Sequence, residues 1–264
     1  MKKSISKYFL LIVIVALTYS KVYSQKDSTI QNSITISTGL NQGYFKDLNF
    51  SPLNYSISGA NYGITYSRRN NKSIFLTSLV FNNNTINTMQ QTVFPEANYL
   101  QGKVKIAYLR KVNKISNKID FFLGGHYQSN INYIDWQEES TSFLVAHSLG
   151  ISFYGEFHFN NKHAINSSIS LPLFTLMVRP PYSSFDEELD ENLDNGKPLR
   201  LITNGYFTSV NNYVSPSFSI QYEYNLTKRF SISGAYQMNY QNQSKNDRFI
   251  TYQNQIRIGL SHKF

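Results

Sequence analysis

The chain contains no cysteine. That excludes a disulfide framework, a thiolate metal site and a lipid anchor on cysteine. Charged residues make up only 16% of the 264 positions, and there is a single tryptophan. No stretch holds the 18 or so consecutive apolar residues that a membrane-spanning helix needs; the apolar run at 8–17 is too short. Mean hydropathy is −0.35, well below that of a helical membrane protein. The formal charge of +9 invites a nucleic-acid reading, but four of the lysines (Lys2, Lys3, Lys7 and Lys21) fall in the first 24 residues. The rest are scattered, many at expected turns, so no nucleic-acid partner is expected.

What the chain does have is 20 tyrosines and 19 phenylalanines. Many aromatics with low mean hydropathy suit a membrane β-barrel, where only every second residue meets lipid. The three early lysines, the run at 8–17 and Val22-Tyr23-Ser24 read as a secretory signal peptide over 1–24. The expected organisation is that leader followed by one barrel domain over 25–264.

Period-2 segments are expected at 30–40, 57–68, 73–81, 98–112, 118–128, 143–160, 163–178, 213–226, 229–240 and 249–264. Each places apolar residues on one face, as in Phe218, Ile220, Tyr222 and Tyr224 against Ser217, Ser219, Gln221 and Glu223. The connections alternate long and short, with long ones at 41–56, 82–97, 129–142 and 179–212. This predicts an all-β fold: an antiparallel, up-and-down transmembrane barrel of about ten strands. Pro172 predicts either a bulge in the seventh strand or the emergence of that strand above the membrane.

The last strand, FITYQNQIRIGLSHKF, ends on an aromatic residue. Its Arg257, Gly259, His262 and Phe264 resemble the terminal signal of bacterial outer-membrane β-barrels. The Val-Tyr-Ser-Gln leader end and the Asn-rich strands are similar to such proteins of Bacteroidota type. The resemblance implies recognition by the barrel-assembly machinery, closure of this strand against the first, Sec export, and residence among the lipids of the outer membrane of a Gram-negative bacterium.

Candidate chemistry lies in three places. Lys103, Lys105, Asp120, His126, Glu156, His158, Glu223 and Arg257 fall on the inward face and predict a lumenal polar network, with Glu156 and Glu223 as expected partners of Arg257. His126 to Asn130 resembles the His-x-Ser-Asn of outer-membrane phospholipases, but His126 and Ser129 are three apart and so face opposite ways. An omptin-like arrangement of Asp135, Glu138, Glu139 and His147 lacks a supporting motif. The segment DEELDENLD offers Asp186, Glu187, Asp190, Glu191 and Asp194 as cation ligands or as a docking surface for an outer-membrane partner within 179–212. No cofactor is expected. The leading expectation is a barrel that is not an enzyme and binds a partner or the lipid surface; a small channel and a lipid-modifying enzyme are the alternatives.

Overall fold

The structure, a computed structural model, describes residues 30–49, 51–88, 97–116, 119–135, 141–179, 195–196, 200–244 and 248–264. The expected leader, Glu138, Glu139 and the acidic run 186–194 lie outside the described residues. Strands β1 (Gln31–Asp47), β2 (Ser51–Arg69), β3 (Ser73–Thr88), β4 (Ala97–Ser116), β5 (Ile119–Asp135), β6 (Thr141–His158) and β7 (His163–Val178) follow one another as antiparallel neighbours. After a single helical turn, α1 (Arg200–Thr203), come β8 (Tyr206–Ser209), β9 (Tyr213–Val214), β10 (Ser217–Asn225), β11 (Phe230–Gln243) and β12 (Phe249–Lys263). β12 pairs with β1 from Lys263 opposite Ser33 to Phe249 opposite Asp47. β10 pairs with β7 from Tyr224 opposite His163 to Ser217 opposite Ser170. The result is a closed, ten-stranded antiparallel barrel, with β8 and β9 as additions to its wall.

One end of the barrel carries the tight turns and the start of β1 and end of β12; the other carries the long hairpins. At the turn end, Asn70 and Asn160 side chains accept backbone N–H bonds two and three residues on, which fixes each turn. At the hairpin end the expected long connections are corrected. Much of 41–56, 82–97 and 129–142 is strand: β1 runs on to Asp47, β3 to Thr88 and β5 to Asp135. Ladder pairing persists there because the alternation inverts rather than stops. Low in β2, Tyr62 and Ile64 face out; higher up, Ile57 and Tyr55 face in and are 2% exposed.

The wall between β7 and β10 is irregular. Gly150 pairs with Pro172 and Leu149 with Phe174, a bulge that leaves Leu173 unpaired beside a residue with no N–H to give. Above it, β8 takes over pairing with β7, and β9 pairs with the top of β11. The single strand expected over 213–226 is therefore broken, at Ser215-Pro216. Pro216 still contributes its carbonyl, which accepts from the Tyr240 N–H at 3.1 Å.

The outward face carries a continuous belt of exposed aliphatic and aromatic side chains, including Ile36, Leu40, Leu79, Phe153, Ile169 and Ile258. Phe121, Phe159, Phe230 and Phe264 ring its turn end. No helix is long and apolar enough to cross a membrane among the described residues.

Candidate functional site

Inward residues of like chemistry from different strands meet at the same height, so the lumen is built in tiers. At the hairpin end, Phe45, Tyr55, Ile57, Ile86, Tyr99, Ile134, Met177, Tyr213 and Phe249 form a buried apolar cap. Phe45 lies at its centre, with ring centroids 5.8 Å from Tyr99 and 5.6 Å from Phe249. Burial pushes the Tyr213 phenol above its ordinary value, so it stays protonated within the cap.

Below the cap lies a belt of amides. Asn41 Nδ2 donates to Asn84 Oδ1 at 2.8 Å, Asn82 Nδ2 to Gln101 Oε1 at 2.6 Å, and Gln101 Nε2 to Asn132 Oδ1 at 2.9 Å. Asn61 Nδ2 donates to Asn82 Oδ1, and Gln255 Nε2 reaches the same oxygen at 3.4 Å. Tyr99 OH donates to Asn132 Oδ1 at 2.6 Å and joins the belt to the cap. Amides suit this position because each both donates and accepts, so they bond to one another without net charge, although Asn41 Oδ1, Asn61 Oδ1 and Gln255 Oε1 meet no donor.

The next tier is cationic. Lys103 and Lys105 stand two apart on β4 and share a face. Lys103 Nζ crosses the lumen to Asn239 Oδ1 of β11 at 3.1 Å, and Lys105 Nζ donates to Ser170 Oγ of β7. Arg257 donates to Gln237 Oε1, not to Glu156 or Glu223 as the sequence suggested. Both carboxylates sit nearer the turn end, where closer cations reach them. His126, 4% exposed, extends this tier: Ser152 Oγ lies 2.9 Å from its Nδ1 and 2.8 Å from Ser170 Oγ.

The turn-end mouth holds the carboxylates. Arg69 bridges Glu156 and, at 3.3 Å, Asp120; Lys111 Nζ meets Asp120 at 2.6 Å. Phe122 lies beneath both cations, 5.6 Å from the Arg69 guanidinium and 6.0 Å from Lys111 Nζ. His158 Nε2 stands 3.6 Å from Glu156, and Lys263 Nζ pairs with Glu223 at 2.5 Å. Arg69, Lys111 and Lys263 complete this tier and are not among the lumenal residues that the sequence pattern points to. They lie near strand ends, where parity gave the only signal. The eight expected lumenal residues thus divide into two tiers: Lys103, Lys105, His126 and Arg257 in one, Asp120, Glu156, His158 and Glu223 in the other.

The phospholipase-like pair, His126 and Ser129, does not come together, and Glu138 and Glu139 of the omptin-like set lie outside the described residues. β5 pairs with β6 without a register break, so His126 faces the lumen while Ser129 faces out opposite His147. His147 is held by Tyr127 OH at 2.9 Å and the Ile202 carbonyl at 2.8 Å. No group of three His, Cys, Asp or Glu among the described residues could hold a metal. The cation candidates Asp186, Glu187, Asp190, Glu191 and Asp194 lie outside the described residues. In the terminal segment, Gly259 pairs with Ser37 of β1 and Ser233 of β11. His262 stacks against Phe230 at 4.9 Å and Phe264 at 5.8 Å. Phe264 exchanges backbone hydrogen bonds with Asn32 at 2.9 and 3.1 Å.

No protein-family model matches the chain, and no curated protein matches it in sequence. Solved structures do match in fold. The outer membrane protease OmpT from Escherichia coli superposes with a TM-score of 0.52 at 8% identity, over 91% of this chain and 99% of that one. An outer membrane channel from Pseudomonas putida F1 gives 0.41 at 6% identity, over 92% and 98%. The attachment invasion locus protein Ail of Yersinia pestis gives 0.32 at 9%, over 88% and 99%. The expectation that this barrel is not an enzyme is thereby corrected: the fold it shares with OmpT is one that serves a protease, so the architecture gives no ground for excluding catalysis. At such identities the likeness is one of fold, and the fold is that of the bacterial outer-membrane β-barrels.

Proposed function

We propose that the chain is an outer-membrane barrel that recognises a partner through its hairpin end, with the connection over 179–212 as the principal contact. The observation that carries this reading is the closed lumen beneath an extended rim. The apolar cap is 0–3% exposed across its members, so among the described residues the lumen is filled at the level of Phe45 and Tyr99. Above the lipid-facing belt the hairpins continue as paired strand, which makes the rim an extended platform. Surface recognition uses such a platform; solute passage does not.

In this reading residues 1–24 direct Sec export, and the Arg257, Gly259, His262 and Phe264 segment is read by the assembly machinery. The tight turns face the periplasm and the hairpins face outward. The Bacteroidota-type resemblance of the leader and strands is part of the same proposal. Six acids within 186–194 favour a partner with a basic surface, and cation-bridged phosphates of the lipid surface are the other match to that charge. Phe207, 84% exposed on β8 within that connection, offers an apolar anchor.

The test is to delete 186–194 from the chromosomal copy and compare the chains that co-purify from native outer membrane. A partner present with the full chain and lost with the deletion supports the proposal. An unchanged set of partners removes it.

A further inference from the structure

Between the amide belt and the charged mouth lies a cavity of about 180 Å³. Lys103, Lys105 and Arg257 line it, together with hydroxyls that include Ser152, Ser168 and Ser219. No described carboxylate pairs with any of the three cations, because Asp120, Glu156 and Glu223 are held by Arg69, Lys111 and Lys263. Each ammonium or guanidinium carries more N–H groups than the single side-chain acceptor it meets here. Arg257 Nε is buried and meets no acceptor at all. Clustered cations inside a barrel wall repel one another and carry a desolvation cost, which an enclosed anion would offset.

We propose that this chamber is a binding site for a small multivalent oxyanion of the phosphate or phosphomonoester class. The three cations supply charge for a dianion, the guanidinium a fork of parallel donors, and the serines neutral donors that fill the remaining oxygens. At about 180 Å³ the cavity has room for an ion of phosphate size. Gly63 keeps the space open beside Arg257: a Cβ built there would stand 3.5 Å from Arg257 Nη1 and 2.8 Å from Ser37 Oγ. The site does not depend on the rim being a docking surface, and its test reads a different quantity.

The full-length mature barrel, refolded in detergent with chloride as the only other anion, is titrated calorimetrically with inorganic phosphate. One phosphate is expected to bind per barrel. Affinity is expected to fall at least tenfold in Arg257→Gln and in Lys103→Gln, and to stay unchanged in Lys72→Gln at an exposed turn. Arg257→Lys, which keeps the charge and loses the fork, is expected to fall between, and it keeps the test informative if Arg257→Gln does not fold. Heat-modified gel mobility reports folding of each variant. Absence of saturable binding overturns the proposal, as does equal affinity in the lumen variants and the wild type. Displacement of phosphate by succinate at lower concentration would move the assignment to a dicarboxylate.

Discussion

The Arg179 guanidinium, just past β7, pairs with the Asp47 carboxylate at the end of β1, and the two side chains are only 4% and 6% exposed. Arg179 also donates to Gln243 Oε1 of β11 at 3.2 Å and stands 5.8 Å from the Phe249 ring of β12. One side chain thus ties four strands together across the hairpin end of the barrel. Removing one member takes the ion-pair partner from a buried charge. Arg179→Ala is expected to destabilise the folded barrel by about 3–5 kcal/mol, measured by denaturant unfolding in lipid bilayers. Replacing both residues with leucine is expected to recover most of that loss. An Arg179→Ala variant as stable as the wild type would show that the pair contributes nothing.

The seam between the first and last strands is the second point of leverage. A Cβ on Gly39 would stand 1.9 Å from the Ile256 carbonyl oxygen and 2.8 Å from the Arg257 Cα, both backbone atoms. Neither can move without parting β1 from β12. Gly39→Ala is expected to cost about 1–3 kcal/mol and to reduce the heat-modifiable folded fraction on gels. Gly234→Ala on β11, where an added Cβ would meet nothing within 4 Å, is the matched control and is expected to be neutral.

Much of this was legible in the chain. The outward belt gave the strand count, the pairing order and the inward parity of Lys103, Arg257 and their neighbours. Pro172 marked its bulge, since a missing N–H has few other places in a sheet. Strand length was not legible, for a physical reason. Above the lipid the outward face no longer needs to be apolar, while the inward face does, as Phe45, Tyr55 and Ile134 show. The alternation reverses phase at that level, and a search for one apolar face reads the reversal as a loop. The pairing of charges was equally hidden: parity puts a residue in the lumen, but its height and azimuth depend on strand stagger. That is why Arg257 was matched to Glu156 and Glu223 when it stands in a different tier. Arg179 carries no signal in the sequence as a tie, because its partners come from β1, β11 and β12.

The amide belt makes its own prediction. Asn82 accepts from Asn61 and Gln255 and donates to Gln101. Asn82→Leu fills the same space while leaving buried amide groups without partners. The expected loss is about 1–3 kcal/mol for each group so stranded. Gln101→Leu should cost less in the Asn82→Leu background than alone, and a double-mutant cycle on unfolding free energies measures that coupling. Strict additivity would mean that the belt is a set of independent contacts.

The last prediction concerns the closed lumen. Phe45, Tyr99 and Phe249 pack ring against ring across the cap, so no single truncation opens a path while the other two rings remain. Each change to alanine is expected to cost about 3–5 kcal/mol of stability. The triple variant is expected to lose the seal at the hairpin end, leaving the amide belt as the narrowest section. In planar bilayers the wild type should show no stepwise conductance, and the triple variant should show small, noisy openings. Loss of those openings on adding Asn61→Leu, which places an apolar side chain in the belt, would locate the remaining constriction there. Steady conductance from the wild type would mean that the cap opens spontaneously. The rim-binding proposal would then lose the observation it rests on, and the cationic chamber would become the selectivity element of an anion path.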